Sequence, residues 1–318
     1  MSGAIDEPLA DAIEAAAAVL GDRARRDVPL GPFTTYRVGG PAALLVEGAG
    51  EDDLHLARAA LAVSGLPVLI VGRGSNLLVA DRGFPGLALT LGARFSQIHI
   101  DASTVRAGGA VSLPVLARRT AGLGLRGLEW AVGVPGSVGG AVRMNAGGHG
   151  SDIRASLTRA WVFDMAAPAG DGPTEMAAST LGLGYRHSVI RPAQIVVAAE
   201  LALTVGDRAA AEQEIASVVR WRREHQPGGA NAGSVFANPP GDSAGRLIDA
   251  AGLRGHRWGS ACVSAKHANF VQVDDGGSAD DVRSLVEEVR TVVLERFGVA
   301  LAWENRLVGF DPSPSSGG

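Results

Sequence analysis

The sequence predicts an α+β or α/β protein whose two domains meet near residue 206, and three observations carry that prediction. Strand-like and helix-like patterns alternate from about residue 29 onward; a long helical pattern, "DRAAAEQEIASVVRWRREHQP", closes at Pro227; and a second long helical pattern with its own N-terminal signal follows. At 318 residues the chain is long enough to bury two cores.

Taken in order, residues 1–28 hold an alanine-rich helix and then a basic linker, "GDRARRD". "EDDLHLARAALAVSG" places acids in a first turn, apolar residues at helical spacing and glycine at the close, which specifies a helix. "LPVLIVG" is a short β-branched run, read as a buried strand, and "GLALTL", "FSQIHID" and "TVRAGGAV" read as further strands. "SLPVLARRTAGLG" returns to helix, with Ser112 as N-cap and proline in the first turn. "GDGPTEMAA" reads as a loop and "AQIVVAAELAL" as a strand. The helix capped by Asp207 marks the boundary between domains. In "SADDVRSLVEEVRTVVLERFG", Ser278 and Asp281 stand at capping-box spacing. "ALAWENRLVGF" reads as a final strand, and residues 311–318, "DPSPSSGG", as a disordered tail. The predicted domains are therefore 29–206 and 207–310.

Composition narrows the function. A net charge of −4 carries no excess of positive charge for nucleic acid. Cys262 is the single cysteine, so an internal disulfide and a thiolate metal cluster are excluded. That usage, with no leader-like segment, points to a reducing cytoplasm. No apolar run approaches the roughly 20 residues of a membrane helix. The seven histidines show no tight metal-ligand spacing. Of 44 glycines, many crowd between Gly72 and Gly150, and dense glycine implies tight turns or close backbone approach to a bulky ligand.

Gly122, Gly124 and Gly127 in "GLGLRG" match G-x-G-x-x-G, but a helical pattern precedes them where a dinucleotide fingerprint needs a strand. A helix end followed by a turn is the better reading. No P-loop pattern is present. Two other glycine-rich stretches remain. "VGRGSNLLVAD" leaves the "LPVLIV" strand through Gly72, Arg73, Gly74, Ser75 and Asn76, offering backbone N–H groups and short polar side chains suited to phosphate oxygens, although a plain βα turn reads the same way. "VGVPGSVGGAVRMNAGGHG" carries seven glycines in nineteen residues, more than a mere connection needs; backbone packed against a flat or anionic cofactor would use them.

"TTYRVGGPA", "VGRGSNLLVAD", "GLEWAVGVPGSVGGAVRMNAGG", "YRHS", "NAGSVFANP" and "AGRLIDAAGLRG" occur in that order, and together they resemble the UDP-N-acetylenolpyruvoylglucosamine reductase (MurB) family from Phe33 to Gly309. The resemblance implies an α+β protein: a two-part FAD-binding domain of the vanillyl-alcohol-oxidase (PCMH) type, then a smaller α+β substrate-binding domain. It implies non-covalent FAD, NADPH as co-substrate, and reduction of UDP-N-acetylglucosamine enolpyruvate to UDP-N-acetylmuramate in bacterial peptidoglycan synthesis. A cytoplasmic monomer with no nucleic-acid or membrane partner goes with it.

Three positions match the family's catalytic set: Arg186 in "YRHS", Ser234 in "AGSVFANP" as general acid, and Glu304 in "LAWENRLVG". On the cofactor side the resemblance brings Tyr36 and Arg37, the Gly72–Asn76 loop, and Gly133, Pro135, Gly136, Ser137, Gly139, Gly140, Ala141, Asn145 and Gly147. Asn238, His225 and His267 match positions toward the substrate. "YRHSVIRPAQIVV" runs directly into the next strand, so this chain looks like the shorter subtype without the tyrosine loop.

Three other readings compete. A flavin oxidase of the same domain type could tether its cofactor through His149. A hydrolase could use Ser243, whose "GDSAG" matches a nucleophile pattern, with Asp249 and His267; two prolines before it oppose the strand a nucleophile elbow needs, and an N-cap fits better. A non-catalytic sugar-nucleotide sensor would leave Arg186, Ser234 and Glu304 together without a use.

Overall fold

The computed structural model describes residues 7–311, so the tail from Pro312 onward and the first six residues lie outside the described residues. The described chain divides by contacts into two compact units. The first comprises residues 7–26, Leu44–Arg73 and Gly86–Glu224; the second comprises Asp27–Ala43, Gly74–Pro85 and His225–Asp311. The division therefore runs differently from a boundary near 206. The long helix starting at Arg208 buries Ala211, Ile215 and Val218 in the core of the first unit, and two early segments join the second.

In the first unit, α1 (Glu7–Leu20) packs on α2 (Glu51–Ser64). The buried stripe Ile13, Ala16, Ala17 and Leu20 on α1 explains the pairing. Asp53 returns to the N–H groups of Ala49 and Gly50 to start α2, and Gly65, at φ 68°, ends it. A four-stranded sheet has the order Arg25–Pro29, Pro41–Gly48, Phe84–Leu91, Val68–Val71, and its last pair is parallel. The expected basic linker is thus in part an edge strand, with Arg26 on Glu14 at 2.6 Å.

A five-stranded antiparallel sheet follows in the order Thr174–Ala177, Leu157–Asp164, Gln194–Ala202, Thr104–Gly108, Ile98–Asp101. Its first strand corrects the loop expected at "GDGPTEMAA": edge pairing with Arg159–Val162 orders Thr174–Ala177. Against this sheet lie α3 (Leu113–Ala121) and α4 (Val138–Met144), and α5 (Arg208–His225) completes the unit. The "GLGLRG" glycines sit at the end of α3 and in the turn beyond it, as the order of patterns required. Ser112 occupies the N-cap position of α3, yet its hydroxyl makes no capping bond; its backbone bridges Ser137 instead.

The second unit is built on α7 (Ala279–Phe297), which covers a three-stranded antiparallel sheet of Arg257–Trp258, Ala261–Val263 and Val271–Val273. Helix α6 (Ala244–Ala250) packs on α7. Ser278 caps α7 by accepting the Asp281 N–H at 3.1 Å, but the capping box does not close. Asp281 instead accepts from the N–H and hydroxyl of Ser260, and Asp81 accepts the N–H groups of Ala279 and Asp280. A carboxylate 197 residues upstream of Ser278 therefore completes the helix start. Tyr36, Val38 and Leu78 belong to the same buried cluster as Val282, Leu285 and Val289 of α7. The final strand is shorter than expected, Arg306–Val308, and pairs in parallel with Leu77–Val79.

Candidate functional site

Each unit carries part of the residue set, and each part has its own geometry. The first glycine loop leaves the strand Val68–Val71 with Gly72 and Arg73 exposed. None of the N–H groups of Arg73, Gly74, Ser75 and Asn76 has an acceptor among the described residues. Four consecutive unspent donors are what a diphosphate needs, and the loop fits the pyrophosphate of FAD. Gly74 must be glycine twice over: its φ is 60°, and a Cβ would run into the backbone of Phe33 and Thr34.

The second glycine stretch is not an open loop. Ser137 accepts the Gly140 N–H at 3.3 Å and caps α4. The remaining first-turn donors are spent within the protein: Val138 N–H on Val111, Gly139 N–H on Gly109 and Ala141 N–H on Ser137. Helix α4 thus has no free N–H in that turn to offer an anion. Gly139 is small so that the helix can approach the sheet; a Cβ would stand 2.8 Å from the Val196 carbonyl. Gly147 is pressed against Ser151 and Asp152. Gly133, Gly136, Ser137, Ala141 and Asn145 are buried, whereas Pro135 and Gly140 are exposed. The buried members shape the surface that the exposed ones present.

Arg186 sits on a turn closed by reciprocal backbone bonds between Gly184 and His187, at φ 53°. Its guanidinium reaches the Gly147 carbonyl at 3.4 Å and lies over the Tyr185 ring at 5.3 Å. Asn145 holds that turn from below. Its amide donates to Gly184 O at 2.9 Å and to Asp152 at 3.0 Å, while its oxygen accepts the Arg154 N–H at 3.2 Å. Both amide protons of Asn145 are spent, one of them on the carbonyl two residues before Arg186.

In the second unit the structure brings together the backbone segments that carry Ser234 and Glu304. The Glu304 N–H donates to Val235 O at 2.8 Å, Ala237 N–H donates to Ala302 O at 2.9 Å, and Phe236 bridges Trp303. Asn269, buried, clamps the same strand by bonding both the N–H and the carbonyl of Phe236. Asn76 joins the group through its carbonyl, which accepts the Arg306 N–H at 2.9 Å. Sequence reasoning missed Asn269 and Asn305, because a lone asparagine beside a strand carries no motif.

Among the substrate-side expectations, Asn238 is exposed but its oxygen accepts the Ala244 N–H at 3.1 Å, so it helps to start α6. His225 is exposed at the end of α5. His267 is half-buried; its Nδ1 accepts the Asn269 N–H at 3.2 Å, and burial, with Arg254 nearby, lowers its pKa below the usual imidazole value. Tyr36 is fully enclosed, its hydroxyl has no partner among the described residues, and burial raises its pKa. Arg37 beside it is exposed at φ 60°. Of the pair only Arg37 presents a side chain at the surface.

The hydrolase reading fails on geometry. Ser243 caps α6 by accepting the Arg246 N–H at 3.3 Å, Asp249 pairs with Arg254, and His267 bonds Asn269 rather than either. Among the described residues there is no metal-holding cluster, and no helix is long and apolar enough to cross a membrane.

Comparison with known proteins identifies the two halves. Residues 42–172 match the FAD-binding domain family, and residues 225–308 match the family described as UDP-N-acetylenolpyruvoylglucosamine reductase, C-terminal domain. The chain is 44% identical over 293 residues to UDP-N-acetylenolpyruvoylglucosamine reductase 2 of Symbiobacterium thermophilum, covering 91% of this chain and 94% of that one. With the enzyme of Methylorubrum extorquens it shares 41% identity over 309 residues, 96% of this chain and 98% of the other. The crystal structure of the Thermus caldophilus reductase (MurB) superposes with a TM-score of 0.78 at 36% identity, over 90% of this chain and 99% of that one. An α+β FAD-binding domain followed by that C-terminal domain, matched along nearly the whole length, establishes that this chain belongs to the UDP-N-acetylenolpyruvoylglucosamine reductase family.

Proposed function

We propose that this protein uses NADPH to reduce the enol ether of UDP-N-acetylglucosamine enolpyruvate, giving UDP-N-acetylmuramate for peptidoglycan synthesis in the cytoplasm. One observation carries the chemistry beyond family membership: Ser234 and Glu304 lie on adjoining, hydrogen-bonded backbone segments. When bound, non-covalent FAD supplies the two-electron relay between NADPH and the enol ether.

Hydride addition at the terminal CH₂ carbon sends the π electrons to the α-carbon and its carboxylate. Arg186 offers a forked guanidinium to that carboxylate, which a lysine would match less well. Ser234 gives its hydroxyl proton to the α-carbon, forming the new C–H bond, and recovers a proton from solvent. A serine hydroxyl is a feeble acid toward water, but an enolate carbon is basic enough to take its proton. Glu304 helps to polarise the intermediate or to deliver that proton. The N–H groups of Arg73–Asn76 would hold the FAD diphosphate, and Arg37 would lie on the flavin side.

The test is an absorption spectrum of the purified protein, followed by anaerobic titration with NADPH and then with the enolpyruvyl sugar. The flavin bands should bleach with NADPH and return with the sugar. Colourless protein that takes up no added FAD would end the reading, and colour retained in an acid precipitate would favour a covalent oxidase instead.

A further inference from the structure

We infer that Asn305, adjacent to Glu304, is a positioning residue that fixes the Ser234 loop for proton transfer. Its side-chain nitrogen faces three oxygens drawn from two distant segments: Ala232 O at 3.1 Å, Ser234 O at 3.4 Å and Asn76 Oδ1 at 3.2 Å. Two of the three are backbone carbonyls, which can only accept, so the NH₂ group must face them and the amide orientation is settled by chemistry. The flanking backbone completes the junction: Glu304 N–H donates to Val235 O at 2.8 Å, and Arg306 N–H donates to Asn76 O at 2.9 Å.

Asn305 is 5% exposed, and its Oδ1 is buried with no partner among the described residues. Packing alone would favour an aliphatic side chain of similar size, since that leaves no polar atom unsatisfied. The amide therefore earns its position through the three acceptors it gathers. One of them belongs to Ser234 itself, so the restraint acts on the same residue that carries the hydroxyl. Another belongs to Asn76, which ties the first glycine loop to the same point. Main-chain bonds on either side set the register of the strand; the Asn305 amide adds the only side-chain restraint on the Ser234 carbonyl among the described hydrogen bonds.

The inference rests on Ser234 being the proton donor, and its test is arranged to separate the two claims. Asn305→Asp keeps the shape of the side chain but turns an oxygen toward the three oxygens that now accept. In FAD-loaded protein under anaerobic stopped flow, bleaching by NADPH should be unchanged. Return of the flavin bands with the enolpyruvyl sugar should slow roughly 100-fold, the scale of loss for an ångström of misplacement. KM for the sugar should hold, and the solvent deuterium isotope effect on the second step should rise as proton transfer becomes limiting.

Asn305→Ala reads the same steps without the added repulsion and serves if the aspartate variant does not retain flavin. Wild-type rates in both variants, alongside a slow Ser234→Ala, would overturn the positioning role alone. A fast Ser234→Ala would remove both claims. Equal slowing of the two half-reactions with lost flavin would reduce Asn305 to a structural residue and also overturn the inference.

Discussion

Gly72 lies directly against the hydroxyl of Ser137, so that a β-carbon at Gly72 would stand 2.7 Å from Oγ. The two glycine-rich stretches therefore meet within the first unit, and they meet at the residue that caps α4. Ser137 is buried and short, so it cannot swing its oxygen away while keeping its bond to the Gly140 N–H. Gly72→Ala should break that cap, costing about 1 kcal/mol of stability, and should distort the loop proposed to hold the FAD diphosphate. The expected outcome is a lower melting temperature with a raised Kd for FAD, read by flavin fluorescence. An alanine variant that binds FAD as the parent does would show that the two loops tolerate separation.

The role given to Ser234 predicts a split between half-reactions. Ser234→Ala should keep NADPH-driven bleaching of bound FAD, because the hydroxyl has no part in that step. Return of the flavin bands with the enolpyruvyl sugar should fall by about 10²–10⁴, the usual loss on removing a proton donor. Rapid-scan anaerobic mixing measures both steps in one preparation. Unimpaired reoxidation would show that the proton comes from elsewhere.

What was legible in the sequence follows the range of the forces involved. The N-cap at Ser243 could be read because a small polar residue stands directly before an apolar helical run, and capping is local. Helix α4 could not, since Gly139 and Gly140 lower its helical propensity and disguise it as a loop; what holds it is packing on the Gln194–Ala202 strand. The second unit's hold on Asp27–Ala43 and Gly74–Pro85 was equally hidden. It depends on Asp81 capping a helix that begins 198 residues later at Ala279, and on Asn76 meeting a strand near the other end of the chain. Of the site, Arg186, Ser234, Glu304 and Asn145 came from ordered motifs, while Asn269 and Asn305, which bond the segment around Ser234, have only three-dimensional partners.

Asn145 offers a way to move Arg186 without touching it. Asn145→Ala would remove one of the two donors to the Gly184 carbonyl, which keeps the His187 N–H, and would leave the part-buried Arg154 N–H without its acceptor, at a cost of about 1 kcal/mol. At this size each kcal/mol lowers the melting temperature by roughly 2–4 °C. If the bonds matter only for stability, activity well below the melting point should match the parent. The expectation is instead a lowered kcat at 25 °C, together with a turn at Gly184–His187 that exchanges its amide protons faster. Protection factors from hydrogen exchange on that turn decide the matter.

His267 should make the protein less stable in mild acid, and the sign follows from its surroundings. Burial first, and Arg254 second, hold its pKa below the ordinary value of 6.5. In the fold its Nδ1 is an acceptor for the Asn269 N–H, so the neutral ring carries its proton on Nε2. As pH falls through 6.5 the unfolded chain takes up a proton that the folded chain still refuses. Unfolding then binds more protons, and stability drops until the folded-state pKa is reached. Urea midpoints at pH 7.5 and at pH 5.5 should differ more in the parent than in His267→Gln, where this titration is gone. Because Asn269 clamps the strand after Ser234, the parent should also lose activity over the same interval faster than it loses bound flavin. Equal pH dependence of the urea midpoint in both proteins would assign the acid sensitivity to other groups.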